Sequence, residues 1–181
     1  MIAITTKYLG PTDTRGARIK ATAPSKNTAT ISYPYDLNSE RAHRKAAETL
    51  HALGSVHAFV VTGDRIDELP LDDSGVIFEV TPAGVERRMV TASEHGLPIA
   101  STESLAGGDP EANAALVESI LAGEVSGAKR DVVVLNAGAS LVVAGLAADI
   151  REGVAKANGT IDSGAATDLL RRLQARSAAA A

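Results

Sequence analysis

Val56-His57-Ala58-Phe59-Val60-Val61-Thr62 is the stretch that decides the fold. It is compact, apolar and rich in β-branched residues, which is the length and chemistry of a strand. Apolar residues on both faces predict a strand covered on both sides. Gly63-Asp64 turns the chain after it. Upstream, Ser39 opens a helix, because its hydroxyl can accept from the orphan amides of the first turn. Ala46, Ala47, Leu50 and Leu53 supply the apolar stripe, and Gly54 sits where a helix C′ glycine belongs. Downstream, Gly75 to Val80 and Gly84 to Val90 read as a two-stranded hairpin around Thr81-Pro82-Ala83.

Further out, the two ends differ in character. Ile2–Leu9, Ala17–Thr22 and Thr28–Tyr33 carry strand patterns, with Gly10-Pro11-Thr12-Asp13 as a turn. After residue 100 the pattern is helical. Asp109-Pro110-Glu111 is a helix start, with an N-cap acid, Pro at the first helical position and an acid in the first turn. Ala112, Leu116, Ile120 and Leu121 form that helix's apolar face. Asp131 to Gly145 begins like a strand, but its uninterrupted length favours a buried helix. Asp149–Asn158 and Ala165–Ala175 are two further helices. The expected class is α/β, or α+β. A small antiparallel β-rich N-terminal part comes first, then one buried strand and a hairpin, then a helical C-terminal half.

The chain has 181 residues, no Cys, no Trp and five aromatics. Zero Cys excludes a disulfide framework, thiolate zinc sites and a Cys nucleophile. So few aromatics leave little for base stacking. No apolar run reaches the ~18 residues of a transmembrane helix. The N-terminus lacks a basic region followed by an apolar one, so no signal peptide is expected and the location is expected to be cytoplasmic. Residues 1–50 carry eight basic and four acidic side chains, net +4, while the remainder carries ten and eighteen, net −8. Such a shift within one chain suggests two units, with chance distribution as the alternative.

Asp67 and Glu68 are the main chemical candidates. Adjacent carboxylates after a buried strand present several oxygens to one hard cation; an ordinary acidic turn is the other reading. Asp72-Asp73 reads as a hydrated turn. His43, His51, His57 and His95 lack metal-ligand spacing. His43 and His51 suit a solvated helix face, and His57 a satisfied boundary position. Asn136 inside an apolar helix needs a hydrogen-bond partner if buried. Gly138-Ala139-Ser140 is not a nucleophile elbow, since the second Gly is missing. Lys7, Arg15, Arg18, Lys20 and Lys26 could touch phosphates of a nucleic acid or another acidic partner, or simply face solvent.

From about residue 50 to 178 the chain resembles the C-terminal portion of anthranilate phosphoribosyltransferase. The matching pieces follow the family's order: LGSVHAFVVTG, IDELPL, FEVTPAGVERRMVTASEHGLP, LAGGDPEANAALVESILAGE, RDVVVLNAGASLVVAG and IREGVAKANGTIDSGAATDLLRRL. The resemblance implies transfer of phosphoribose from phosphoribosyl pyrophosphate to anthranilate in tryptophan biosynthesis. It also implies that Asp67 and Glu68 hold the Mg²⁺ accompanying the pyrophosphate leaving group. The family's Gly-Thr-Gly-Gly-Asp donor loop and Lys-His-Gly-Asn segment do not occur here. Gly107-Gly108-Asp109 is a false match to that loop, since it precedes the late helix and reads as a turn plus N-cap. Residues 1–50 resemble the opening of short uncharacterised proteins of bacteria and their phages. The expected organisation is a β-rich opening with a helix start over 1–50, a transferase-like segment over 51–178, and a frayed tail at 179–181. The expectation is therefore a truncated or fused relative, inactive alone, whose exposed apolar helix faces promote self-association. A non-catalytic binding module with a basic opening is the alternative.

Overall fold

The computed structural model describes residues 5–9, 18–22, 28–32 and 39–179. The chain divides into two compact units, Met1–Asp64 with Val76–Met89, and Arg65–Gly75 with Val90–Ala181.

The first unit opens with β1 (Thr5–Leu9), β2 (Arg18–Thr22) and β3 (Thr28–Ser32), an antiparallel sheet in that order. Its register pairs Lys7 with Lys20 and Ile19 with Ile31. The expected strand start at Ile2 and the turn at Gly10-Pro11-Thr12-Asp13 lie outside the described residues. The expected helix follows as α1 (Ser39–Ala52). A second sheet, in the order β4-β5-β6, comprises Ala58–Thr62, Gly75–Thr81 and Gly84–Val90. The hairpin is present as expected, with only Pro82 and Ala83 between β5 and β6.

Among the strands whose burial is described, the buried one is β5 rather than the stretch around Phe59. Val76, Ile77, Phe78 and Val80 in β5 are each no more than 5% exposed, whereas β4 is half-buried up to Thr62. The reason is position: β5 lies between two neighbours and β4 is at the end of the strand order. Antiparallel register sets Val60 beside Phe78, on the face where Ala47 and Leu50 of α1 join Val76, Phe78 and Val80 in one cluster. Phe59 pairs with Glu79 on the other face. There His57 Nε2 lies 2.8 Å from Glu79 Oε1, and Arg88 pairs with the other carboxylate oxygen at 2.5 Å. The Arg88 guanidinium stands 5.8 Å from the Phe59 ring centroid, a cation–π distance. His57 is thus a satisfied boundary histidine.

The second unit is mainly helical. Its helices are α2 (Pro110–Leu121), α3 (Ala128–Val143), α4 (Ile150–Asp162) and α5 (Ala165–Ala178). Length decided α3 correctly: the Val132–Leu135 run is helical throughout. Asp109 and Asp149 cap α2 and α4, accepting from Ala112 N and Glu152 N, each at 2.8 Å. The apolar face expected on α2 is shallower than its pattern implies, since only Ile120 is buried there. α4 runs four residues beyond the expected Asn158. Its buried Ile150, Val154, Ala157 and Ile161 continue the 3–4 spacing past that point. No helix among the described residues is long and apolar enough to cross a membrane.

α3 and α4 meet at bare backbone. A Cβ on Gly153 would lie 2.4 Å from Gly138 O, and one on Gly138 would lie 2.7 Å from Val154 N. Arg130 adds a polar strut across the same pair, donating to Asn158 Oδ1 at 2.9 Å and to Asp162 Oδ1 at 2.6 Å. Since the opposing atoms are backbone, they cannot rotate away. Gly153→Ala is therefore expected to destabilise by about 2–3 kcal/mol or more, read from the denaturant midpoint. Gly159→Ala, on the same helix with open space around it, is expected to stabilise slightly.

Candidate functional site

Asp67 and Glu68 are exposed, and Leu69, Pro70 and Leu71 directly after them are buried. Burying Leu69 and Leu71 stabilises the segment by roughly 1.5–3 kcal/mol for each side chain. It also removes their backbone groups from water, so those groups need partners. Asn136 of α3 answers both groups of Leu69. The Leu69 amide donates to Asn136 Oδ1 at 3.0 Å, and Asn136 Nδ2 donates to Leu69 O at 3.0 Å. The same Nδ2 donates to Val132 O at 2.9 Å, which holds the amide plane on its own helix. This is the partner that an asparagine in an apolar helix requires.

Asp72 and Asp73 are internal acceptors, not the hydrated turn that their side chains suggest. Asp72 accepts from Ser74 Oγ at 2.6 Å, from Ser74 N at 3.2 Å and from Thr102 Oγ1 at 2.9 Å. The Ser74 hydroxyl is the main reason that its carboxyl sits below the ordinary value of 3.8; partial burial opposes the shift and Thr102 reinforces it. Asp73 has φ of 62°, a left-handed conformation that Asp tolerates better than most residues. Its Oδ1 accepts from Ala92 N at 3.1 Å. Ala100 N donates to Leu71 O at 3.1 Å. The segment is thus tied at residues 69, 71, 72 and 73, just behind the exposed pair.

Arg65, ahead of the pair, donates to Glu103 Oε1 on the 3₁₀ turn Thr102–Leu105. The turn's own backbone amide holds the Glu103 carboxyl low, and the Arg65 charge adds to this. Sequence reasoning missed both this ion pair and the Asn136 clamp. The asparagine signalled a need for a partner without saying which.

The donor set at 67–68 consists of oxygens from two neighbouring carboxylates. Among the described residues no group of three or more His, Cys, Asp or Glu is arranged to hold a metal. Carboxylate oxygens are the donor type that Mg²⁺ takes, alongside water and substrate phosphates.

The other sequence candidates stand apart from this pair. Asp109 spends its carboxylate on the α2 cap, so Gly107-Gly108-Asp109 is a turn plus N-cap as read. Ser140 lies within α3 and donates to Asn136 O at 2.9 Å, as helical back-bonding rather than a nucleophile. His43 and His51 are half-buried on α1 rather than on an open solvated face. Lys7, Arg18 and Lys20 belong to β1 and β2, and Arg15 and Lys26 lie outside the described residues.

A family model described as "Glycosyl transferase family, a/b domain" matches residues 36–167. The chain belongs to this glycosyl transferase family. Among its relatives, the anthranilate phosphoribosyltransferase of Anaeromyxobacter dehalogenans (strain 2CP-C) is 47% identical over 126 residues, covering 70% of this chain and 37% of that enzyme. The enzyme of Roseiflexus castenholzii is 47% identical over 131 residues, covering 71% and 38%. The crystal structure of the Thermus thermophilus enzyme matches with a TM-score of 0.67 and 40% identity, over 74% of this chain and 39% of that one. A Saccharomyces cerevisiae anthranilate phosphoribosyltransferase in complex with PRPP and Mg shares the fold, with a TM-score of 0.67 and 21% identity over the same shares. The resemblance read from the ordered motifs is borne out. The chain spans well under half the length of these family members.

Two outcomes test the loop. Asn136→Leu removes the partner of both Leu69 backbone groups, and is expected to cost about 2–4 kcal/mol and to speed hydrogen exchange at the Leu69 amide. Asp72 supplies a pH dependence. Its folded pKa is depressed, so its contribution is complete above the unfolded value and drains as pH falls through the folded one. In urea titrations the stability gap between wild type and Asp72→Asn is expected to be constant near neutrality and to close below about pH 4.

Proposed function

We propose that residues 51–178 form one arm of a phosphoribosyl-transfer site, in which Asp67 and Glu68 hold Mg²⁺ together with phosphoribosyl pyrophosphate. One observation carries this reading: the exposed carboxylate pair sits directly on a buried, hydrogen-bonded anchor. It fixes the backbone directly after two exposed carboxylates, whose oxygens are the donors a hard cation takes. The relatives' reaction, applied here, moves phosphoribose to the amino group of anthranilate and releases pyrophosphate. Mg²⁺, when bound, neutralises charge on the departing pyrophosphate.

Asp67 and Glu68 supply the protein's oxygens to that ion. Asn136 orients them by fixing Leu69, the next residue along. Asp72 and Asp73 hold the far side of the loop through Ser74, Thr102 and Ala92. The sequence contains no Gly-Thr-Gly-Gly-Asp donor loop, so the reading includes no turnover by this polypeptide alone. A role in tryptophan biosynthesis would place the protein in the cytoplasm. The part of residues 1–50 ahead of the family match, which begins at 36, would be a β-rich opening, whereas α1 shares a core cluster with β5.

Calorimetric titration with Mg²⁺ tests the reading. Mg²⁺ is expected to bind weakly alone and about tenfold or more tighter with phosphoribosyl pyrophosphate present. Asp67→Asn with Glu68→Gln is expected to remove both responses while the folded circular-dichroism spectrum is retained. Mg²⁺ binding unchanged in that double variant would refute the assignment, and turnover of both substrates by the purified chain would refute its inactivity.

A further inference from the structure

Arg65 is the one basic residue between Gly63 and Ser74, a stretch that also contains Asp64, Asp67, Glu68, Asp72 and Asp73. A diphosphate anion approaching this segment meets the exposed carboxylates of Asp67 and Glu68, and Arg65 is the nearest cation to them along the chain. The guanidinium presents several donors in a planar fork that matches phosphate oxygens.

We infer that Arg65 is an anion contact beside the carboxylate pair, held in reserve by Glu103 until a Mg²⁺-bound diphosphate group replaces that glutamate. The inference rests on the reading of Asp67 and Glu68 given above, and adds to it the residue that would take the anionic side of the same ligand.

Three features support it. First, the Arg65–Glu103 pair is open to solvent, with side chains 66% and 63% exposed. Exposed pairs contribute little net stability, so Arg65 exchanges partners at little cost. Second, the turn carrying Glu103 is held independently of Arg65. Thr102 Oγ1 donates to Asp72 at 2.9 Å, and Ala100 N donates to Leu71 O at 3.1 Å. Breaking the ion pair therefore leaves the backbone on both sides in place. Third, charge favours the exchange only when metal and anion arrive together. Metal at the carboxylates lowers the negative potential around Arg65, and phosphate oxygens then offer it a denser charge than one carboxylate does.

The competition makes opposite predictions for the two partners. Calorimetry on the full chain would use Mg²⁺ alone, inorganic pyrophosphate alone, and both together. Glu103→Gln frees Arg65 and is expected to tighten pyrophosphate binding in the presence of Mg²⁺ by about threefold to fivefold, the equivalent of the exposed pair's strength. Arg65→Gln is expected to weaken that binding about tenfold, and Arg65→Lys to restore part of it. Neither arginine variant is expected to weaken binding of Mg²⁺ alone, a split that simple disruption of the loop would not produce.

Pyrophosphate binding that is absent in wild type, or equal in wild type, Arg65→Gln and Glu103→Gln, overturns the inference. If that occurs while Mg²⁺ still depends on Asp67 and Glu68, the metal reading survives without Arg65. Pyrophosphate binding that depends on Arg65 but not on Asp67 and Glu68 instead keeps the anion contact and overturns the metal reading.

Discussion

Two glycines that cross without side chains set the helical unit. Gly138 and Gly153 let the backbones of α3 and α4 touch, and nothing larger than hydrogen fits between them. This contact fixes the rotation of α3. Asn136 lies two residues before Gly138, which on a helix is about 200° around the axis. The residue that grips Leu69 therefore projects from the side of α3 opposite the glycine crossing. Helix packing on one side of α3 and loop geometry on the other are parts of one constraint. A shift of the crossing would carry Asn136 away from the Leu69 amide and carbonyl that it pairs.

The acids of the loop divide into two kinds by what lies behind them. Asp72 and Asp73 are turned inward to satisfy amides and hydroxyls around the buried 69–71 segment. Asp67 and Glu68 remain exposed. The inward pair contributes rigidity to the loop, while the exposed pair stays within reach of ions in solution. Arg65 and Glu103 belong to neither kind, since both are exposed and paired with each other, the Glu103 carboxylate also being held by the amide of its own turn.

Much of this was legible beforehand. The caps at Asp109 and Asp149, the hairpin around Pro82-Ala83 and the helical nature of residues 128–143 follow from neighbours within a few positions. The ordered motifs pointed to the family because each of them records a local geometry. The misplaced buried strand has an equally plain cause. Ala58–Val61 is an unbroken apolar run, whereas Glu79 interrupts Gly75–Thr81. Yet Glu79 is accommodated by His57, just ahead of β4, and by Arg88 of β6, so β5 can be central despite its charge.

The sequence by itself determined the element types, the family and the candidate pair Asp67 and Glu68, because these depend on short-range periodicity and on motifs in order. Only the tertiary structure decided which of the five acids between Gly63 and Ser74 serve the fold and which face solvent. That choice depends in part on partners remote along the chain: Thr102 acts across 30 residues on Asp72, Ala92 across 19 on Asp73, and Asn136 across 67 on Leu69, just behind the exposed pair. Hydrogen-bond satisfaction in a buried segment is a long-range condition, and no local pattern of residues contains it.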